Sequence, residues 1–232
     1  MIGLKSGTVK LVQHQEEWHE NAENVISVLK QLLGDTALDI QHVGSTAICS
    51  IHAKPIIDIA VAVHDIKDIL PYIEVLKQHN IFFHEGAVAG EVFFVMEDGD
   101  IRTHHIHIVK RNGTGWSNYI SFRDYLNANP EKAMMYDEFK RKSAVRFADD
   151  RKRYTASKQE IIGQLLSEAS MKKLQSATEA SGYRFFHGHF PRKHHSGLRS
   201  MKGQGKPLWS ALPLTSLRDA AHVSGPVFFA VL

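Results

Sequence analysis

Residues 56–63 (IIDIAVAV) constrain the fold more than any other part of the sequence. Their composition and length predict a β-strand, in which alternate side chains point to opposite faces. One face carries the bulky residues Ile57, Ile59, Val61 and Val63, and the other carries Ile56, Asp58, Ala60 and Ala62. We therefore expect a packed core on the first face and open space beside a carboxylate on the second.

The other periodic segments complete an α+β pattern. Apolar residues recur every three or four positions from Trp18 to Leu33, which predicts an amphipathic helix that ends at Gly34. A second helix is expected within residues 66–76, with its regular part beginning near Ile69, so that Pro71 lies in its first turn. Further strands are predicted at residues 38–43, 92–96 and 103–109, and helices between residues 116 and 169. We expect a mixed sheet with one crossover helix, flanking helices and a C-terminal helical segment.

Charge divides the chain near residue 170. Residues 1–170 carry 19 basic and 23 acidic side chains, whereas residues 171–232 carry nine basic and two acidic ones. The excess of basic charge thus belongs to the last segment, and nucleic-acid binding by the rest of the chain is not indicated. We predict one folded domain at residues 8–169 and a basic, flexible extension at residues 170–232. The extension has two other interpretations, a basic arm for nucleic acid or an acidic partner, and a shifted-frame or fused remnant.

Composition also limits where such a protein is found. No apolar run approaches the roughly 20 residues that cross a bilayer, and the first residues lack the hydrophobic segment of a secretion signal. Cys49 is the single cysteine, so the chain forms no internal disulfide, which is typical of a reducing compartment. These features predict a cytoplasmic protein with no membrane segment.

A polar turn and a lysine come before the strand of Asp58. Gly44 allows the backbone to approach a ligand, and Ser45 and Thr46 offer hydroxyl and N–H groups to a phosphate. Lys54 would neutralise phosphate charge, and Asp58 would hold Mg²⁺, because a hard cation prefers carboxylate oxygens. For Gly-Ser taken alone, a plain turn is the simpler interpretation.

Residues 102–109 (RTHHIHIV) concentrate three histidines in one predicted strand. His105 and His107 share a face, and His104 lies on the other. Two imidazoles so placed can chelate a metal, act as acid and base, or bind phosphate when protonated. The alternative for a single histidine is a hydrogen-bonded residue of the core. A histidine-triad nucleotide hydrolase would need a third imidazole where Thr103 stands, so that class is rejected.

Charged residues of the helical segment fall into three groups. Lys158 shares a helical face with Tyr154, and we expect its ammonium group at the edge of the core, where an anion would suit it. Residues 140–142 (KRK) and 149–153 (DDRKR) are expected at solvated helix surfaces. Arg123 and Asp124 form either an ordinary surface pair or part of a site.

Four of these segments together resemble the GrpB family. They are HVGSTA from His42, KPIIDI from Lys54, RTHHIH from Arg102 and FRDYL from Phe122, in this order. The resemblance covers about residues 8–169, whereas the segment from residue 171 onward has no counterpart in the family pattern. Each motif alone is weak, but four in register over one domain are specific.

The resemblance implies a nucleotidyltransferase-like fold. Enzymes of this fold place Gly-Ser at a strand-to-helix turn, followed by acidic residues that hold two Mg²⁺ ions. Gly44, Ser45 and Asp58 match that pattern, but Ala60 stands where a second acid is expected, and the later strand offers histidines in place of a third. Residues 48–50 (ICS) replace the Val-Pro-Gly turn usual in the family.

The combined prediction is a pocket for a nucleotide or another small phosphorylated ligand, with nucleotidyl or phosphoryl transfer as the implied reaction. Asp58, His105 and His107 are the candidate catalytic residues, and Asp58 is also the candidate metal ligand. The candidate ligand-binding residues are His42, Gly44, Ser45, Thr46, Lys54, Arg102 and Lys158. One alternative is a non-catalytic accessory or regulatory module, since some family members are fused to dephospho-coenzyme A kinase. Another is a transition-metal site on His105 and His107.

Overall fold

Six strands form one mixed sheet in the computed structural model, which describes residues 2–85 and 90–180. The strands are β1 (Leu4–Lys5), β2 (Asp39–Val43), β3 (Ile57–Val63), β4 (Ile81–Phe83), β5 (Glu91–Asp98) and β6 (Ile101–Lys110). Their order is β2-β3-β6-β5-β4, and β1 pairs with the start of β6. β3 and β6 are parallel, and the other pairs are antiparallel. The predicted mixed sheet is confirmed.

Six helices flank this sheet within the described residues. They are α1 (Glu17–Leu33), α2 (Ile73–Gln78), α3 (Thr114–Ala128), α4 (Pro130–Arg146), α5 (Arg151–Ser157) and α6 (Gln159–Ala180). The α+β class with a C-terminal helical segment is therefore confirmed. Across the described part of the chain, no helix has the length and apolar character needed to span a membrane.

The two faces of β3 are covered by different helices. Its bulky face packs into a core with α1 and α2, where Ile57 and Ile59 share a cluster with Trp18 and Leu29. Its other face packs against α3, α4 and α6, where Ala60 and Ala62 share a second cluster with the ring of Phe122 and other apolar side chains. Every residue of β3 is buried. Because helices lie on both faces, the space beside Asp58 is enclosed by the sheet and the C-terminal helices.

Three local details differ from the sequence prediction. Residues Ile66–Tyr72 form a 3₁₀ helix, capped by Asp65, and the α-helical part begins only at Ile73. The predicted helix around Tyr154–Leu165 is divided at Lys158, whose N–H bonds the carbonyl of Thr155 three residues earlier. Strands β1 and β4 were not predicted, because two or three residues are too short to show a period of two.

Helix α6 continues beyond the end of the predicted domain. It runs to Ala180, so the predicted boundary between residues 169 and 170 falls inside this helix. Beyond that boundary, Lys172 donates a hydrogen bond to Oδ1 of Asn129 at 2.7 Å. Most of the predicted flexible extension, residues 181–232, lies outside the described residues, and the domain division stays a prediction.

Candidate functional site

Asp58 packs directly against the turn at Gly44. Gly44 has φ 71° and ψ −169°, a conformation that residues other than glycine rarely adopt. A Cβ atom at this position would lie 2.5 Å from Oδ2 of Asp58. The turn continues as a short 3₁₀ helix, Ser45–Ala47, and not as the start of an α-helix. Gly44 therefore makes room for the Asp58 carboxylate, whereas the sequence interpretation assigned that room to a ligand.

The parallel register of β3 and β6 brings Asp58 and two histidines together. Asp58 lies opposite His105, and Ala60 lies opposite His107. Oδ1 of Asp58 accepts a hydrogen bond from Nδ1 of His105 at 2.9 Å and lies 3.7 Å from Nε2 of His107. Burial alone would raise the pKa of Asp58, but the hydrogen bond from His105 and the nearby charge of His107 hold it well below its usual range. The carboxylate is therefore ionised.

Glu91 is an acid of this cluster that the sequence interpretation missed. Its Oε1 accepts a short hydrogen bond from Nδ1 of His107, and its Oε2 accepts one from the hydroxyl of Tyr119 at 3.1 Å. His107 therefore lies between two carboxylates, those of Glu91 and Asp58. Glu91 was missed because it precedes the predicted strand at residues 92–96. The alternation of Glu91 with Phe93 and Val95 is the signal that places it on the face of His107.

The two imidazoles carry different charges at neutral pH. Burial lowers the pKa of His105 to about 3, against the opposing effect of its hydrogen bond to Asp58, so this ring is neutral. Burial also disfavours the protonated form of His107, but the charges of Glu91 and Asp58 and the hydrogen bond to Glu91 raise its pKa to about 9. The cluster thus contains one neutral and one cationic imidazole beside the carboxylate of Asp58.

A small pocket opens beside Asp58 and His105. Its free space is about 310 Å³ when open solvent is included, but only about 20 Å³ of it can hold the centre of a water molecule. Its polar lining consists of Ser45, Thr46, Lys54, Asp58, His105, Lys140, Tyr154 and Lys158. Residues from β3, β6, α4, α5 and the turn after β2 therefore meet here, although they are spread over more than 100 positions of the chain.

Three lysines converge on this pocket and are buried against aromatic rings. Lys140 and Lys158 are only 1% and 3% exposed, and Lys54 is partly buried. Nζ of Lys158 lies 5.2 Å from the ring centroid of Tyr154, and Nζ of Lys140 lies 4.7 Å from that of Tyr136. Nζ of Lys140 also donates a short hydrogen bond to the carbonyl of His52.

The pKa values of these ammonium groups are depressed. Burial, with Lys158 nearby, lowers the pKa of Lys54 to about 7. Burial lowers the pKa of Lys158 to about 8, although the charge of Asp58 opposes the shift. Burial, again with Lys158 nearby, lowers the pKa of Lys140 well below its usual range. Each lysine therefore carries its proton less readily than in water, because several cations share a pocket of low polarity.

The prediction that Lys140 lies at a solvated helix surface is wrong. Ala133, Tyr136 and Lys140 share the buried face of α4, at spacings of three and four residues. Arg141 and Lys142, in contrast, are exposed and pair with Asp137 and Glu138. The three basic residues look alike in the sequence, but adjacent residues of a helix point to different faces, so one of them can be buried while the next two are exposed.

Three predicted ligand-binding residues do not line this pocket, namely Gly44, which packs against Asp58, and His42 and Arg102. His42 bonds through Nε2 to the Thr46 hydroxyl at 2.9 Å and lines a separate groove beside α1. Burial lowers the pKa of His42 to about 4. Arg102 is buried at the start of β6 and donates to Oε2 of Glu97 at 3.2 Å. Its charge contributes to the low pKa of Lys54, so it acts on the pocket without lining it.

Arg123 links α3 to the edge of the sheet. It donates to the carbonyl of His42 and to the side chain of Gln41, both at 2.9 Å, and to Asp124 at 2.8 Å. These bonds hold β2 and its following turn against α3. Within this structure the Arg123–Asp124 pair therefore supports the turn that carries Ser45, and it is more than a surface ion pair.

The donor atoms around Asp58 do not match a two-ion Mg²⁺ site. Mg²⁺ prefers oxygen ligands. Within the described residues, the cluster able to hold an ion consists of one carboxylate and two imidazoles, Asp58, His105 and His107. Ala60 occupies the position of a second acid on β3, and Glu91 lies on the far side of His107. The donor set fits an ion that accepts nitrogen ligands better than Mg²⁺.

Comparison with known proteins identifies the family. A family model described as GrpB protein matches residues 8–168. The chain belongs to the GrpB family. The predicted family is thus confirmed, over almost the same residues as the predicted domain.

Individual members of the GrpB family share about a third of the residues of this chain. The glutamate-rich protein GrpB of Alkalihalophilus pseudofirmus is 37% identical over 173 residues, which cover 72% of this chain and 99% of that protein. The UPF0157 protein YqkA of Bacillus subtilis is 32% identical over 155 residues, which cover 66% of this chain and 45% of that protein. This chain therefore spans less than half of YqkA.

Among solved structures, the conserved protein GrpB from Enterococcus faecalis is similar in fold. It superposes with a TM-score of 0.66 at 29% identity, over 71% of this chain and 99% of that protein. The Cid1 poly(U) polymerase has a TM-score of 0.42 at 13% identity, over 58% of this chain and 44% of that protein. A likeness as distant as the second carries no argument about ligand or reaction.

Proposed function

We propose that the pocket beside Asp58 binds the phosphate group of a nucleotide or of another small phosphorylated ligand. The observation that carries the proposal is the convergence of Lys54, Lys140 and Lys158 on one small pocket. Burying several ammonium groups together is costly unless a counter-charge compensates them. A phosphate brings that charge and several acceptor oxygens.

The protein's own acid supplies only part of that counter-charge. Asp58 lines the pocket, but its Oδ1 already accepts a hydrogen bond from His105. Lys54 keeps a pKa of about 7 in its presence, so the charge of this ammonium group is incompletely compensated by Asp58. Ser45 and Thr46 at the turn add hydroxyl groups to the same lining. This combination favours an anion with two or more negative charges.

A transfer reaction at this site is the more specific form of the proposal. Asp58 is ionised at the edge of the pocket, and His105, neutral and hydrogen-bonded to it, lines the same space. A neutral imidazole next to a bound phosphate is positioned to accept a proton from an attacking hydroxyl group. His107 does not line the pocket and is already protonated at neutral pH, so it cannot accept this proton, and in this proposal it positions Asp58.

The competing proposal is a non-catalytic accessory or regulatory module. It is favoured by Ala60, which leaves β3 with one carboxylate where nucleotidyl transfer would use two. Phosphate binding is common to both proposals, and only turnover separates them.

Isothermal titration of the full chain with a panel of nucleoside mono-, di- and triphosphates tests the binding. We expect Lys54→Gln and Lys158→Gln to weaken the best ligand at least about tenfold each, since each removes a charge-assisted contact of about 1.5–3 kcal/mol. Lys142→Gln is the matched control, because this lysine is exposed and pairs with Glu138. Absence of binding to the whole panel, or equal affinity in all three variants, would refute the proposal.

Incubation with the labelled best ligand and a hydroxyl acceptor then tests for transfer. The catalytic form predicts a labelled product that disappears in Asp58→Asn and His105→Gln while binding persists. Binding without turnover in the unmodified protein would favour the accessory module.

A further inference from the structure

A second kind of site is formed by the ionisable cluster at the floor of the pocket. Asp58, His105 and His107 lie on one face of the paired strands β3 and β6. Each offers one ligand atom, and these atoms all lie within 4.8 Å of one another. The three side chains are buried. They are held by sheet hydrogen bonds, which position side chains more rigidly than a loop does.

The cluster leaves buried nitrogen atoms without partners. Nε2 of His107, the atom that would bind an ion, has no hydrogen-bond partner among the described residues, and neither has Nε2 of His105, which would carry the proton if Nδ1 bound the ion. The gap of 3.7 Å between Nε2 of His107 and Oδ1 of Asp58 is too long for a hydrogen bond. Buried polar atoms without a partner are few in native proteins and usually mark a missing water, ion or functional role.

Two of the three donor separations in the cluster are close to those around a common ion. Donors that lie about 2.1 Å from one ion are roughly 3.0–3.6 Å apart for angles between 90° and 120°. The observed separations from Oδ1 of Asp58 are 2.9 Å to Nδ1 of His105 and 3.7 Å to Nε2 of His107. His105 presents Nδ1 as a lone pair when its proton moves to Nε2, a change of tautomer that needs no rotation of the ring.

Glu91 and Tyr119 contact the second ring nitrogen of His107, Nδ1. Nδ1 of His107 bonds to Glu91, and the Tyr119 hydroxyl lies 3.0 Å from the same nitrogen. Histidines that bind metals commonly donate their second ring N–H to a carboxylate, which fixes the ring and makes the ligating nitrogen more basic. Glu91 is on the wrong side of His107 to bind the same ion, so this supporting role accounts for its burial.

We propose that Asp58, His105 and His107 bind one divalent transition-metal ion of the Zn²⁺ or Co²⁺ type, with Glu91 as the residue that positions His107. Two imidazoles and one carboxylate suit such ions, whereas Mg²⁺ prefers oxygen ligands. Because Asp58 and His105 line the pocket, the ion reaches the cluster from solvent, and its remaining coordination positions face that pocket. This inference does not depend on phosphate binding.

Cobalt titration of the untagged, metal-free full chain tests the site without any phosphorylated ligand. We expect one Co²⁺ per chain, visible d–d absorption bands, displacement by Zn²⁺, and no displacement by a large excess of Mg²⁺. Asp58→Asn and His107→Gln should abolish the bands. Glu91→Gln should retain them but weaken Co²⁺ binding about 10–100-fold.

His104→Gln is the matched control for loss of a buried histidine. His104 lies on the same strand but bonds to Thr103 and is not in the cluster, so its replacement should leave the bands unchanged. Circular dichroism establishes that each variant is folded. If a ligand variant does not fold, the Co²⁺ affinity of the folded Glu91→Gln variant tests the proposal instead. An affinity equal to that of the unmodified protein would contradict the proposal. Absence of Co²⁺ bands in the unmodified protein, or their persistence in both ligand variants, would show that the cluster is a proton-bound ion pair.

Discussion

At the scale of single residues, Gly44 and Asp58 depend on each other. The backbone of Gly44 has a positive φ of 71°, and the space that a side chain would need is filled by the Asp58 carboxylate. Asp58 in turn takes its low pKa from His105 and His107. The sequence connects Gly44 with an external ligand. In the structure, however, this position needs glycine because the Asp58 carboxylate fills the space that a side chain would occupy.

Replacing Gly44 tests this dependence. Gly44→Ala should lower the free energy of unfolding by about 2–4 kcal/mol, because it combines backbone strain with a Cβ contact of 2.5 Å to Asp58. Gly34→Ala is the control, since Gly34 also has a positive φ, 51°, but a Cβ atom there would meet none of the described residues within 4 Å. Urea denaturation measures both. Equal losses of unfolding free energy in the two variants would mean that the Asp58 side chain moves away from the new Cβ atom without destabilising the fold.

At the scale of elements, α4 holds the loop that carries Lys54. The backbone N–H of His52 donates to Asp137 Oδ1 at 2.7 Å, and its ring Nδ1 lies 2.9 Å from Oδ2. Lys140, one turn later on α4, bonds to the His52 carbonyl. The loop is therefore positioned by α4, which lies 85 residues further along the chain.

Replacing Asp137 tests whether its hydrogen bonds to His52 affect the pocket. Asp137→Ala should cost about 2–3 kcal/mol of stability, because a buried backbone N–H loses its partner. It should also weaken phosphate-ligand binding, although Asp137 does not line the pocket. Glu138→Ala, which removes only the exposed partner of Lys142, should leave both properties unchanged. Thermal unfolding and titration of the two variants provide the test, and unaltered binding in Asp137→Ala would show that the loop does not need this anchor.

At the scale of the whole molecule, the proposed binding of a phosphate in the pocket should be coupled to the uptake of protons. Lys54 and Lys158 have pKa values of about 7 and 8 in the free protein, below their ordinary value. The folded protein thus binds fewer protons on these groups than the unfolded chain between about pH 7 and pH 10. Their burial accordingly destabilises the fold below about pH 7, and this penalty diminishes as pH rises through the window.

A bound phosphate should reverse these shifts. We expect proton uptake on binding at pH 8 and an affinity that falls as pH rises from about 7 to 9, because the anion favours the charged lysines. Titration in two buffers of different ionisation enthalpy gives the number of protons. Lys54→Gln should reduce that number and Lys142→Gln should not. Binding with no proton exchange in the unmodified protein would contradict the prediction that a bound phosphate raises the pKa values of these lysines.

The extent of the folding unit can be tested by truncation. A chain ending at residue 180 keeps α6 and the Lys172–Asn129 hydrogen bond, and it should retain the thermal unfolding midpoint and the ligand affinity of the full chain. A chain ending at residue 168, where the family match stops, should unfold at a lower temperature because it lacks the last part of α6. Aggregation of the longer truncation would show that the predicted domain is incomplete.

The sequence alone determined the longer elements and the faces of their strands. Alternation in β3 placed Asp58, Ala60 and Ala62 on one face, and the same parity placed His105 and His107 together on β6. These assignments depend on local geometry, in which side chains alternate at every residue of a strand. Four motifs in order were also enough to predict the family that the comparison confirmed.

Only the tertiary structure decided which faces meet. Glu91 reaches His107 because β5 pairs with β6 in one register, and Lys140 reaches the pocket because α4 turns that side toward the sheet. Neither pairing has a local signal, since it depends on the packing of segments that are distant in sequence. For the same reason Gly44 and Asp58, 14 positions apart, needed a structure to show that one fills the space left by the other.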